Sequence, residues 1–434
     1  MNTFDSREYI KKAIDLFVSC IPESEQQERL DNVQSTPATS HPNYENSSED
    51  ILFKYIVTAK MFIDSSPYYD CFQGSRIIPY FKAIGIELEN IKSIINFDEK
   101  IKEISKKTCP NPDSGIFEML VAALHKRNGF NKVEFIQTRP PKKTPDILIN
   151  DGDEIFVECK RMTKKSQYSI DEEAKWSALW GDIGQEIYKS KLSAVIDIVF
   201  HDELQDFEDN YLSDILMHRI KLVPTTFPCT VIDNERITVC SRPIDRRRID
   251  THLAKYLVNL KSPTLLKLVL GEHDHHVNSK LIMKYKASSE CSQLVDGIGF
   301  IAAVTWRCDS QSALDKKSRH IKKHLAEAIE QIPNGKYGII HFGIEAVEGD
   351  AIEKIRVVKN SGIIKSFDFR DKKIQWIHFH ILAPSTTPQE DWIFEETVES
   401  YRARLVGIDM GERTHIIPFD TVRNGYKWER KDDL

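Results

Sequence analysis

Two short apolar runs split by an acidic turn confine residues 144–161 to one local shape. Thr144-Pro145-Asp146-Ile147-Leu148-Ile149 and Ile155-Phe156-Val157-Glu158-Cys159-Lys160 flank Asn150-Asp151-Gly152-Asp153. Strand-favouring runs on either side of an Asp-Gly turn predict a β-hairpin. Side chains alternate along a strand, so Glu158 and Lys160 share a face while Cys159 points the other way and packs. Asp146 opens the first strand. It stands opposite Glu158 only if Asn150 pairs with Glu154, which leaves Asp151-Gly152-Asp153 as an odd loop. A two-residue turn would set Asp146 against Val157, on the wrong face unless a bulge intervenes.

Two carboxylates held together repel one another, and a hard cation with oxygen ligands reverses that cost, so Mg2+ or Mn2+ is implied. Such an ion polarises a phosphoryl oxygen, lowers the pKa of a bound water and offsets charge on the leaving oxygen. An acid-x-Lys triplet alone carries little information, because it also occurs at Asp98-Lys100, Glu173-Lys175, Asp315-Lys317, Asp371-Lys373 and Glu429-Lys431. Only Glu158-Lys160 ends an apolar run that follows a Pro-Asp partner strand. The plain alternative is a surface hairpin with charged ends.

Pro145-Asp146 followed by Glu158-x-Lys160 on the next strand resembles the signature of the PD-(D/E)xK nuclease superfamily. The resemblance implies an α/β, restriction-endonuclease-like core, an α-β-β-β-α-β mixed sheet flanked by helices. It further implies that Asp146, Glu158 and the backbone carbonyl of Cys159 bind the metal, and that Lys160 orients or activates the attacking water. A helix ahead of the first core strand often supplies another acid in that family, and Glu118 occupies the matching place. Asn111-Pro112-Asp113 starts this helix with a capping Asn, a Pro at the first helical position and an acid in the first turn. Ile116, Phe117, Leu120, Val121 and Leu124 form its apolar stripe, and Asn128-Gly129 stops it. Glu118 lies off the centre of the stripe, so an exposed surface Glu is the alternative.

Helix 112–128, strand Val133–Gln137, the two motif strands, a helix from about 171 to 189 and strand Ala194–Phe200 follow the family's core order. Gln185 and Tyr188 share a face of the later helix and resemble residues that some members place near the site; an amphipathic surface explains them equally. A second unit pairs the helical stripe Ile321, Leu325, Ala328, Ile329 and Ile332 with the buried strand Tyr337–Ile344. Either unit suits the outer part of the sheet, with the segment between them an insertion. Further strands are expected at Gly299–Trp306 and Ile374–Ile381. Residues 109–384 thus read as one elaborated nuclease-like domain and 385–434 as a C-terminal extension.

Residues 1–108 read as a helical N-terminal region, with helices near 6–20, 51–63 and 89–106 and a mobile polar linker at about 22–50. This region is expected to select substrate, to form a homodimer, or to receive a partner protein. The formal net charge of −6 argues against a generally basic nucleic-acid binder, yet electrostatic footprints are local. Arg139, Lys142 and Lys143 precede Asp146, while Arg161, Lys164 and Lys165 follow Glu158; both clusters suit a phosphate backbone passing the metal. Arg246-Arg247-Arg248 and the lysines of 316–323 read as solvated faces.

Glu272-His273-Asp274-His275-His276 lacks the spacing of a metal site, and His378 and His380 read as partly buried sheet histidines. The eight cysteines show no paired spacing, so buried reduced thiols are expected. No apolar run reaches membrane-spanning length and the start lacks a secretory pattern, so a cytoplasmic location is expected. The expected function is metal-dependent hydrolysis of phosphodiesters in nucleic acid, DNA favoured over RNA. The resemblance adds bacterial restriction or antiphage defence as a context. Two alternatives stand beside it: a catalytically inactive nuclease-fold binding protein, against which retention of all three motif residues counts, and a sensor or scaffold with a structural hairpin.

Overall fold

The computed structural model describes residues 6–35, 50–66, 69–137, 144–162, 166–256, 258–260, 262–271, 278–289, 292–318, 321–346, 350–385, 393–403 and 413–418. The chain begins with helices α1 (Ser6–Ser19), α2 (Glu23–Ser35), α3 (Ile51–Ile63), α4 (Cys71–Ile86), α5 (Leu88–Lys92), α6 (Phe97–Ile104) and α7 (Pro112–Arg127). The polar stretch expected as a linker at 22–50 is therefore helical over 23–35, and 36–49 lie outside the described residues. What composition conceals is an anchor: Arg29, 1 % exposed, pairs with Asp50 and donates to the Ser105 carbonyl at 3.0 Å. Asp50 also caps α3 through the Phe53 N–H.

Strands β1 (Lys132–Phe135), β2 (Ile147–Asp151) and β3 (Asp153–Met162) follow. Then come α8 (Gln167–Ser190), β4 (Ala194–Phe200), α9 (Tyr211–Ile220), β5 (Cys229–Asp233), β6 (Ile237–Pro243), α10 (Arg246–Leu253), β7 (Val258–Asn259), α11 (Pro263–Leu270), β8 (Asn278–Ala287) and β9 (Leu294–Cys308). The chain continues through α12 (Gln311–Lys317), α13 (Lys322–Gln331), β10 (Tyr337–Glu345), α14 (Asp350–Ser366), β11 (Lys373–Ser385) and β12 (Ile393–Arg402). No helix among the described residues is long and apolar enough to cross a membrane.

The fold is mixed α/β with two mixed sheets. Sheet 1 has the order β1-β2-β3-β10-β11-β12, antiparallel at β1-β2-β3, parallel at β3-β10-β11 and antiparallel again at β12. β10 is apolar almost throughout and buried along nearly its whole length, as a parallel strand covered on both faces must be. His341 of this strand meets His125 of α7 on one face, while Phe342 lies on the other in the cluster formed with Leu325 and Ile329 of α13. Sheet 1 is thus a layer between α7 and α13. β12, from the stretch expected as a C-terminal extension, completes it.

Sheet 2 has the order β5-β6-β4-β9-β7, with β8 also on β9. The helix and strand expected to complete the motif sheet, near 171–189 and 194–200, are α8 and β4 and belong here instead. Trp176 of α8 stacks between Trp180 and Trp306, at 5.2 and 5.0 Å, which fixes the helix on β9. The alternative unit, α13 and β10, joins β3. Local periodicity specifies a helix followed by a buried strand in both places; which sheet each strand joins is decided by long-range pairing that periodicity does not encode.

Candidate metal centre

The hairpin register is the odd-loop one. Asn150 pairs with Glu154 and Asp151 with Asp153, and Gly152 turns the tip at a φ of 90°. That left-handed conformation is where glycine carries no steric penalty. The Gly152 N–H donates to Asn150 Oδ1 at 3.0 Å, closing the turn. The paired register ends at Ile147 opposite Val157. The Asp146 N–H donates to the Val157 carbonyl at 3.1 Å, one step out of that register as at a bulge, and Asp146 lies close enough to Glu158 for their charges to interact.

Asp146 Oδ2 accepts the Cys159 N–H at 2.7 Å. The N–H and C=O of one strand residue leave the strand on the same side, so the Cys159 carbonyl shares that edge. Its thiol side chain is buried in the core, as expected. Across from Asp146, Glu158 Oε1 is held by Lys160 Nζ at 2.6 Å and by Gln331 Nε2 from the end of α13. Glu118 of α7 is 8 % exposed rather than on the surface, and pairs with Lys100 of α6.

Burial pushes Asp146 up to about 8, and the charge of Glu158 adds to the push. It raises Glu158 to about 7 despite the opposing pull of Lys160. Glu118 rises to about 7, chiefly by burial and next by the charge of Asp146. The three carboxyls are coupled and short of positive charge. Burial disfavours the Lys160 ammonium, yet Glu158 and Asp146 outweigh it and raise its pKa. Lys100 behaves likewise beside Glu118. Lys160 keeps 23 % of its side chain exposed, and Asp146 is half-buried, so the cluster opens to solvent.

Does this donor set fit a hard divalent ion? Glu158 Oε2 is buried and has no hydrogen-bond partner among the described residues, an orphan acceptor of the kind that normally has an explanation. Together with Asp146 and the Cys159 carbonyl it offers oxygen donors only, which suits Mg2+ or Mn2+ and not a thiophilic metal. Among the described residues no group of three or more His, Cys, Asp or Glu side chains forms a ready cage. Mg2+ does not need one, since it is commonly held by one or two carboxylates and keeps several waters.

Other expected contacts fall elsewhere. Arg161, an expected phosphate contact, has a side chain with no exposure; it pairs with Glu345 and donates to the Gly343 carbonyl at 3.1 Å. As the residue after Lys160 it faces the opposite side of β3, where Arg76, Asp113 and Tyr55 extend the ion cluster. Gln185 and Tyr188 sit on α8 against sheet 2, not at the carboxylates, because α8 is not the helix beside β3. Arg139, Lys142, Lys143, Lys164 and Lys165 lie outside the described residues, as does Glu272–His276.

Lys100 and Gln331 are the site residues that the sequence reading missed. Lys100 stands in the Asp98-Lys100 triplet, where nothing local marks it as a counter-ion for a residue 18 positions on. Gln331 had a signal: it ends the helix of the alternative unit, directly before the buried strand beside β3. Compared with family models, curated proteins and solved structures, the chain finds no match.

Proposed function

We propose that this protein is a metal-dependent nuclease of the PD-(D/E)xK type, hydrolysing phosphodiester bonds in nucleic acid, with DNA favoured. The observation that carries this reading is the gathering of Asp146 and Glu158 at the end of an odd-loop hairpin, close enough for their charges to interact, with Lys160 bound to Glu158 and one buried Glu158 oxygen without a hydrogen-bond partner among the described residues. The order α7-β1-β2-β3-α13-β10, with β3 and β10 parallel, supports a restriction-endonuclease-like core whose helix and last strand follow a long insertion at 166–318.

Asp146, Glu158 and the Cys159 carbonyl would hold Mg2+, whose charge would polarise the phosphoryl oxygen and stabilise the leaving oxygen. Lys160 holds the attacking water and offsets negative charge building on phosphorus, its ammonium being kept protonated by Glu158 and Asp146. Gln331 fixes the Glu158 carboxylate and so its free oxygen. Glu118 adds negative charge to the cluster and is balanced by Lys100. Incubation with plasmid and with short RNA, in Mg2+, Mn2+ or EDTA, tests the reading. Wild type is expected to cleave only with metal, and Asp146→Ala and Lys160→Ala are expected to lose about two orders of magnitude or more in rate. Cleavage that survives both substitutions, or protein that binds nucleic acid and never cleaves, contradicts it.

A further inference from the structure

Helix α8 carries two glycines, Gly181 and Gly184, in a 24-residue run. Each disfavours the helix relative to alanine. Packing does not demand the first: a Cβ at Gly181 would meet nothing within 4 Å. At Gly184 a Cβ would stand 3.1 Å from Trp180 Nε1, so glycine keeps the space before that indole clear. Trp180 is 2 % exposed and its N–H has no hydrogen-bond partner among the described residues.

These residues line a groove of about 470 Å3 between α8 and β8, a size typical of small-molecule sites. Tyr188, 52 % exposed, borders it, its ring held edge-on against Phe300 at 5.3 Å. A rigid, exposed aromatic ring is a stacking platform. Lys189 and Lys280 stand exposed among the lining residues, and Gln185 projects an amide beside them.

We propose that this groove binds a nucleoside phosphate. The base stacks on Tyr188, Gln185 pairs with its edge, and the phosphate meets Lys189 and Lys280. The same unit is available from a free nucleotide or from one residue of a single strand. The groove belongs to sheet 2, so this site is separate from the carboxylate cluster and does not rest on cleavage there.

Isothermal titration in EDTA with the four ribonucleoside monophosphates, a short oligothymidylate and inorganic phosphate tests it. Saturable binding of a mononucleotide identifies the free ligand as the source; binding of the oligonucleotide alone identifies the strand. In either case Tyr188→Ala should weaken binding about tenfold or more, and Lys189→Glu with Lys280→Glu should weaken it further and flatten its salt dependence. Gly181→Leu fills the groove without a clash while favouring the helix, and should abolish binding in a protein with unchanged circular dichroism. The proposal is overturned if neither nucleotide probe binds, if inorganic phosphate binds as well as the mononucleotides, or if the folded variants bind like wild type.

Discussion

Asp146 sets the charge balance of the centre, because burial and Glu158 together hold its carboxyl up to about 8. A carboxyl whose folded pKa exceeds its ordinary value stabilises the metal-free fold fully only below about pH 4, and that stabilisation is lost as pH rises through the folded value. With Glu118 and Glu158 also pushed up to about 7, the metal-free protein loses stability as pH rises from about 4 to about 8. On the proposed reading a divalent ion would bind the deprotonated carboxylates and reverse that loss. Millimolar Mg2+ is therefore expected to raise Tm more at about pH 8.5 than at about pH 6. Asp146→Asn, which can still accept the Cys159 N–H, should make the metal-free protein more stable at the higher pH and remove most of the Mg2+ effect. An equal Mg2+ shift in variant and wild type would show that the ion binds elsewhere.

Among the elements, α7, β10 and β11 share a column of buried histidines, of which the sequence reading took His378 and His380 for partly buried sheet residues. His341 and His380 bond through Nδ1 and Nε2 at 2.8 Å, His380 meets Glu396 at 2.7 Å, and His378 meets the Ser400 hydroxyl at 2.8 Å. Burial lowers His125 and His378 to about 3 and His341 well below its ordinary value. Their depressed values mean that stability is complete above about pH 6.5 and drains as pH falls toward 3, since the unfolded chain takes up protons that the fold refuses. Urea unfolding between about pH 7 and 5 should show this loss, and His125→Phe should make the slope shallower by up to about 1.4 kcal/mol per pH unit. A slope unchanged by the substitution would remove His125 from the account. The hairpin itself was legible in the sequence, and of the two registers weighed the odd-loop one, Asn150 with Glu154, is present. The helix–strand partner was not: α8-β4 and α13-β10 carry the same local pattern and both stayed open, and Gln185 of the first was named where Gln331 of the second touches Glu158. Arg161 was misread for a simpler reason, since sequence adjacency to Lys160 on a strand means the opposite face.

At the scale of the molecule, the N-terminal helices and the motif layer share one core. Ile10, Phe17, Phe53 and Phe81 cluster with Phe117, Ile147, Val157 and Phe394, so the boundary drawn at 108/109 from composition separates halves of a single apolar cluster. Removing residues 1–108 is expected to abolish cooperative unfolding of the remainder, whereas residues 166–318, whose two cores are their own, should fold when expressed alone. A truncated chain that unfolds cooperatively near the wild-type Tm would contradict the shared core. Sequence showed that the front of the chain is helical but not that it is structural, because polar α2 is secured by the buried Arg29–Asp50 pair and by Leu30 and Val33 packed on the core. The claim on which the functional reading depends is that Asp146 and Glu158 hold one hard ion beside Lys160, and anomalous scattering from crystals soaked in Mn2+ tests it most directly. One peak bridging an oxygen of Asp146 and an oxygen of Glu158, absent from Asp146→Asn crystals, is predicted; Mn2+ seated elsewhere, or retained at full strength in the variant, would contradict it.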